Sequence, residues 1–148
     1  MQSKQFSLGD KVDEYFTEGY CCSEAIVMAV AYQYCPDIPV TVAKAASSGL
    51  CGGMGSKKAT CGVFTGGAIA LGLVLGNGEK KDKNVKNLSA EFFEKMELYA
   101  GAQQCSQVLK KMGLKNWNRS RCRLLTSRGG IELQAMIEAN IKEPLIKS

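Results

Sequence analysis

Apolar residues occur along this chain in blocks of helical length, and most blocks end at a glycine or a proline. Positions 22 to 34 are apolar on nearly every side, which predicts a buried helix. A second block runs from 61 to 75 and ends at Gly76. Its last seven residues alternate in a way that a strand could also use, but its length favours a helix. No pair of strong strand patterns is present, so we expect an all-α fold.

Capping residues and glycines predict the limits of the helices. We expect a single-domain helical bundle of about five to seven helices over residues 1–148. The first half of the chain contains the block from 22 to 34, a helix opened by Ser7 and ended at Gly19, and a helix capped by Thr41 and closed at Gly49. A further helix is capped by Thr60 and runs from Cys61 to Leu75. The second half contains a helix from Ser89 to Met112, a short helix capped by Asn118 that contains Cys122, and a helix from Gly130 to Ile141.

Composition narrows the chemistry to sulfur, because the chain has seven cysteines and no histidine. Without histidine there is no Ser-His-Asp or Cys-His catalytic pair and no Cys₂His₂ zinc site. The cysteines are left with thiol redox chemistry, all-cysteine metal or cluster binding, or burial. No C-x-x-C spacing occurs, which excludes a thioredoxin-type pair and a ferredoxin-type run.

Charge and hydropathy suggest a cytoplasmic protein that inserts into no membrane. The first residues contain no apolar stretch typical of an export signal, and a reducing compartment keeps cysteines as thiols or metal ligands. The apolar stretch from 63 to 75 is shorter than the roughly 20 residues of a membrane-spanning helix. The net charge is +5, but only Trp117 lies among the basic residues, so we expect no nucleic-acid binding.

Four cysteines are candidates for a site. Cys61 and Cys22 lie at predicted helix starts, where free N–H groups and the helix dipole stabilise a thiolate. Cys122 lies between arginines, and a positive environment has the same effect. Cys105 falls on the apolar stripe of a predicted helix, which by itself indicates packing. The other three cysteines have weaker cases: Cys21, Cys35 and Cys51.

Glycines at 62, 66, 67 and 72 follow Cys61 inside its predicted helix, and each costs up to about 1 kcal/mol relative to alanine. Either tight helix packing or a closely bound cofactor would compensate for this cost. For the second case, Gly62 and Gly66 are the candidate cofactor-binding residues. The glycine-rich loop at 52–58 lacks P-loop spacing and follows no strand, which argues against nucleotide binding.

The order of these motifs resembles a known family. Cys22 after Gly19-Tyr20, the triplet 53–55, the segment Cys-Gly-Val-Phe-Thr-Gly from Cys61, then Cys105 and Cys122 are similar to the C_GCAxxG_C_C family over about residues 15–140. Its members are small bacterial and archaeal proteins described as redox-active. The resemblance implies that Cys22, Cys61, Cys105 and Cys122 form the site. The chain departs from the family motif at Val63, where the motif has alanine.

Three hypotheses follow for the function. In the first, the four cysteines converge, and pairs of their thiols cycle to disulfides. Cys22 and Cys61 are then the attacking thiolates. In the second, the same four cysteines bind an iron–sulfur cluster that transfers single electrons. In the third, the cysteines only pack inside a structural or interaction protein. If the protein is an enzyme, it is oxidoreductase-like. Its redox partner is unknown, and a glycine-rich helix would suit a homodimer.

Overall fold

The computed structural model describes residues 7–141, in which seven α-helices carry nearly all of the regular structure. Within this range the extended pairing consists of one isolated bridge between Thr60 and Gln104, and no strand forms. The predicted all-α class is therefore confirmed. The helices are α1 (Leu8–Thr17), α2 (Cys22–Tyr34), α3 (Val40–Ser47), α4 (Gly62–Leu75), α5 (Lys83–Ala100), α6 (Cys105–Met112) and α7 (Ser120–Asn140), with 3₁₀ turns at Ser48–Leu50 and Gly113–Arg119.

Helix α2 lies at the centre of the bundle and packs against α1, α3, α4 and α7. Every residue from Ser23 to Ala31 is buried, as the apolar pattern predicted. This burial fixes α2, and therefore its N-terminal end, relative to four other helices. None of the helices in the described range is long and apolar enough to cross a membrane. The largest fully buried side chains around α2 include Leu8, Leu71, Phe92, Met96, Leu133 and Ile137.

The predicted capping residue is right at α1 and wrong at three other helices, including α3 and α4. Ser7 caps α1, and its hydroxyl accepts a hydrogen bond from the backbone N–H of Asp10. Helix α3 begins earlier than predicted, directly after Pro39, so Thr41 lies inside it. Thr60 is not the cap of α4, because its backbone pairs with Gln104; the N-cap is Cys61.

The predicted long helix from Ser89 to Met112 is wrong, because the chain breaks it at Gly101. This residue has a φ of 79°, a left-handed conformation that glycine adopts without steric cost and that ends α5. Helix α5 also starts earlier than predicted, at Lys83, where the Asp82 carboxylate accepts a hydrogen bond from the N–H of Val85. Cys105 consequently begins a separate helix, α6, instead of lying in the middle of a long one.

The opposite error occurs at the C-terminal end, where two predicted helices form one. Helix α7 runs from Ser120 through the adjacent glycines 129 and 130 to Asn140. Both glycines lie in close contacts: a Cβ at Gly129 would come within 2.8 Å of Val63, and one at Gly130 within 3.0 Å of the Gly9 backbone. The glycines therefore permit helix packing where the sequence suggested a helix start.

Candidate functional site

Four cysteines from four helices line one cavity with a volume of about 300 Å³. Each of them lies at a helix N-terminus. Cys22 and Cys105 are the first residues of α2 and α6, Cys61 is the N-cap of α4, and Cys122 is the third residue of α7. Free N–H groups and the positive ends of helix dipoles stabilise negative charge at such positions. The cavity therefore favours thiolates or bound anions.

Helices α4 and α6 start side by side because the segments preceding them pair as extended backbone. The N–H of Cys61 donates to the carbonyl of Gln103 at 2.8 Å, and the N–H of Cys105 donates to the carbonyl of Ala59. The break at Gly101 makes this pairing feasible, since it frees residues 102–104 from helical conformation. Two of the four predicted site cysteines are thereby brought to adjacent helix ends.

Helices α2 and α4 approach closely at the cavity because glycines of α4 face the first turn of α2. A Cβ at Gly66 would lie 3.0 Å from the Cα of Ser23, and one at Gly62 would lie 3.2 Å from both the N of Ser23 and the Sγ of Cys22. Of the two compensations considered for these glycines, the structure shows helix packing. A cofactor-binding role for Gly62 and Gly66 stays a prediction.

Asn116 positions Cys122 and was not identified from the sequence. Its side-chain oxygen accepts hydrogen bonds from the N–H groups of Arg121 (2.8 Å) and Cys122 (2.9 Å), and its amide nitrogen donates to the Cys122 sulfur at 3.4 Å. It therefore caps α7 in place of Asn118, which has a left-handed φ of 58° and makes no such contact. The only signal available was an asparagine four residues before the first residue of α7.

The thiols of Cys22 and Cys61 lie on the same cavity and interact in a way that separates their pKa values. This interaction, together with the charge of Arg119 and nearby backbone N–H groups, outweighs burial and lowers the pKa of Cys22 from 9.0 to about 7. The same interaction and burial raise the pKa of Cys61 well above its ordinary value. Cys22 is thus the more acidic thiol of the pair, whereas the sequence had suggested that both were attacking thiolates.

Two cationic side chains of the described residues flank the cavity. Lys58 of the glycine-rich loop and Arg119 line it, and both side chains are exposed to solvent. Of the three arginines near Cys122 in sequence, Arg123 instead forms a bidentate ion pair with Asp13, at 2.6 and 2.8 Å. The positive charge of Arg119 helps to lower the pKa of Cys22. The two residues are distant in sequence but close in space because α2 and α7 pack together.

Cys105 and Cys35 are less acidic than an ordinary cysteine, but only Cys105 belongs to the cavity. Burial raises the pKa of both. Cys105 lines the cavity, whereas Cys35 is the C-cap of α2, at the opposite end of that helix from Cys22, and its thiol lies 3.8 Å from the carbonyl oxygen of Leu73. Cys35 therefore lies outside the site.

One of three comparisons with known proteins found a match. A family model described as "Putative redox-active protein (C_GCAxxG_C_C)" matches residues 20–133, which include all four cysteines of the cavity. The chain belongs to the C_GCAxxG_C_C family. No curated protein and no solved structure matches it.

The departure from the C_GCAxxG_C_C motif at Val63 is accommodated by α7. Val63 is buried, and its Cγ1 occupies the space that a side chain at Gly129 would need. The larger residue is therefore matched by a smaller one on the facing helix. Val63 also lines the cavity, beside the cysteines.

Cys21 and Cys51, which lie outside the family pattern, form a disulfide. The expectation that a reducing compartment keeps every cysteine as a thiol or metal ligand is therefore not met in this structure. The bond joins the N-cap of α2 to Cys51, at the start of the segment 51–59 that contains the glycine-rich loop. That loop in turn supports Cys105, since Gly53 packs against its Cβ and Ala59 accepts its backbone N–H.

Proposed function

We propose that the protein carries out thiol–disulfide exchange at the cavity formed by Cys22, Cys61, Cys105 and Cys122. The observation that carries the proposal is the placement of Cys22 and Cys61 at two helix starts on one cavity, one with a lowered and one with a raised pKa. A thiolate is the nucleophile in disulfide exchange, and a neighbouring thiol is the group that resolves the product. Membership of a redox-active family supports the same chemistry.

In this proposal, the Cys22 thiolate attacks one sulfur of a disulfide substrate. The substrate S–S bond breaks, a mixed disulfide forms, and the leaving thiolate takes up a proton. Cys61 then loses its proton and attacks the Cys22 sulfur, which releases the second substrate thiol. The substrate gains two electrons and the protein holds a disulfide between Cys22 and Cys61. Cys105 and Cys122 reduce it by a further exchange and are themselves restored by a dithiol redox partner.

Replacing the resolving thiol tests this assignment. A Cys61→Ser variant incubated with a small aromatic disulfide is expected to accumulate a stable mixed disulfide on Cys22, detected by intact mass. The natural protein is expected to release both substrate thiols and to form an internal disulfide. Cys35→Ser, which lies outside the site, serves as the matched control and should behave like the natural protein. If no adduct forms on Cys22 in Cys61→Ser, the exchange function is wrong.

An iron–sulfur cluster is the second candidate, and the spacing of the sulfurs favours it over a single metal ion. A tetrahedral zinc site with Zn–S bonds of about 2.3 Å requires sulfurs about 3.8 Å apart. In the described part of the chain, no three of the four cavity sulfurs lie within 4.8 Å of one another. The four thiolates would be the cluster ligands, and a cluster would supply single-electron transfer.

Absorption and metal content separate the candidates. Protein purified without oxygen is examined for broad bands at about 320–460 nm and assayed for iron and zinc. Bands with stoichiometric iron, lost in each of the four single cysteine variants, would favour the cluster over exchange. A colourless protein that also fails reconstitution would favour exchange. If replacing all four cysteines by serine lowers stability but alters neither reactivity nor metal content, the cysteines serve packing alone.

A further inference from the structure

Cys21, Glu24 and Cys51 form a compact group of side chains outside the four-cysteine cavity. Their two Sγ atoms and a carboxylate oxygen all lie within 4.8 Å of one another. Cys21 and Glu24 occupy the N-cap and the third position of α2, and Cys51 directly follows the 3₁₀ turn that packs on α2. The group is therefore held by backbone whose position does not depend on the disulfide alone.

The Glu24 side chain is largely buried and has no cationic partner among residues 7–141. Glu24 is only 9% exposed, and no lysine or arginine within this range forms an ion pair with it. One oxygen accepts the N–H of Cys21 at 3.1 Å and the other accepts the Ser48 hydroxyl at 2.7 Å. Buried charges in proteins are normally paired or coordinate metals. Because a carboxylate has about four lone-pair positions, Glu24 retains acceptor capacity for a metal.

We propose that Cys21, Glu24 and Cys51 form a zinc-binding site in the reduced protein. Two thiolates and one carboxylate are a ligand set that suits Zn²⁺, and a water would complete the tetrahedron. The Cα atoms of the two cysteines are 5.7 Å apart. At this separation the two side chains reach either each other or a shared ion, so the disulfide and the zinc site are alternative states of the same two sulfurs.

The two states interconvert by a balanced reaction. A dithiol reductant transfers two electrons and two protons to the Cys21–Cys51 bond and becomes a disulfide itself. Zinc then displaces the two thiol protons, which go to solvent. In either state Cys51 stays attached to the start of α2, so the loop that supports Cys105 keeps its anchor. This inference uses none of the four cavity cysteines and does not depend on the proposed exchange function.

Residue-resolved alkylation tests the site. Protein reduced with a phosphine and freed of metal by a chelator is treated with N-ethylmaleimide, with and without one equivalent of zinc chloride. The labelling rate of Cys51 is followed by peptide mass spectrometry. Zinc is expected to slow this labelling by about tenfold or more, because a metal-bound thiolate is not free to react. The reactivity of Cys22, measured in the same samples, reports on the exchange function separately.

Variants identify the ligands. Cys21→Ser is expected to abolish the protection of Cys51, and Glu24→Gln to require about tenfold more zinc for the same protection. Glutamine keeps the oxygen that caps the Cys21 N–H, so this variant remains informative if Cys21→Ser fails to fold. Cys35→Ser is the control and should match the natural protein. The proposal is overturned if zinc leaves Cys51 labelling unchanged, or if protection is undiminished in both ligand variants.

Discussion

Cys22 and Cys61 line the same cavity, and the interaction between their thiols makes two neighbouring cysteines chemically different. Both lie at helix N-termini, so the helix dipoles alone would favour both thiolates. Two thiolates in contact repel each other, and only one can be ionised at neutral pH. Cys22 is the more acidic of the two because the Cys61 thiol, the charge of Arg119 and nearby backbone N–H groups all favour its thiolate.

The first prediction is that Cys22 is the most reactive thiol at neutral pH. With a pKa of about 7, its alkylation by iodoacetamide is expected to rise with pH and to reach half of its maximum rate near pH 7. Cys105 and Cys35 should require higher pH, because burial raises the pKa of each. Labelling followed by peptide mass spectrometry from pH 5 to pH 9 measures both profiles, and a common midpoint for the three thiols would contradict the prediction.

The second prediction is that the Cys61 thiol lowers the pKa of Cys22 by donating a hydrogen bond to its thiolate. Cys61→Ala removes the hydrogen bond to the Cys22 thiolate, which should raise the pKa of Cys22 and slow its alkylation at pH 6.5 by about tenfold. Cys61→Ser keeps a hydroxyl donor and is expected to lose much less. The pH profile of Cys22 labelling is the measurement for both variants. Equal loss in the two would mean that the hydrogen bond is not what lowers the pKa.

The chemistry of the site could be predicted from sequence more readily than its geometry. Helix starts at Cys22 and Cys61 were predictable because an apolar block begins at each of them. The helix start at Cys105 was not, because the apolar stripe on which Cys105 lies predicts one helix from Ser89 to Met112, whereas Gly101 ends α5. The pairing of residues 59–61 with 103–105 depends on contacts between segments more than 40 positions apart, which no local pattern records.

The third prediction is that Arg119, and not Arg123, tunes Cys22. Arg119→Gln should raise the pKa of Cys22, since its positive charge favours the thiolate, and slow alkylation at pH 6.5 by about threefold, the scale of an exposed charge pair. Arg123→Gln is the matched control, because its guanidinium is bound to Asp13. Raising the salt concentration should reduce the difference between the natural protein and Arg119→Gln. If the two variants slow the alkylation of Cys22 equally, the net charge of the protein and not Arg119 in particular sets this rate.

The fourth prediction separates two asparagines that are both close to the start of α7. Asn116→Ala removes the acceptor for two backbone N–H groups and is expected to cost about 1 kcal/mol of unfolding free energy. It should also alter the labelling rate of Cys122, which loses the amide contact to its sulfur. Asn118→Gly is expected to leave stability unchanged or slightly raised, because glycine tolerates its left-handed φ. Denaturant titration monitored by circular dichroism compares the two, and the reverse order would restore Asn118 as the cap.

Much of the fold was predictable because apolar blocks in a helical bundle are long and local. The limits of α2 match the apolar block from 22 to 34, and the end of α4 matches Gly76. What a glycine does inside a helix was not predictable. Gly101 ends a helix, whereas the glycines at 129 and 130 sit within one, and only the residues packed against each position decide between these outcomes.

The fifth prediction uses this distinction within α4. A Cβ at Gly67 would overlap the ring of Phe92, so Gly67→Ala is expected to destabilise the protein by about 1–2 kcal/mol, since the overpacking penalty exceeds the gain in helix propensity. At Gly72 the nearest atom to an added Cβ is 3.8 Å away on Val85, so Gly72→Ala should stabilise the protein by up to about 1 kcal/mol. Urea unfolding midpoints measure both changes. Because the two substitutions are chemically identical and lie in one helix, a shift of the same sign in both would mean that helix packing does not explain the glycines of α4.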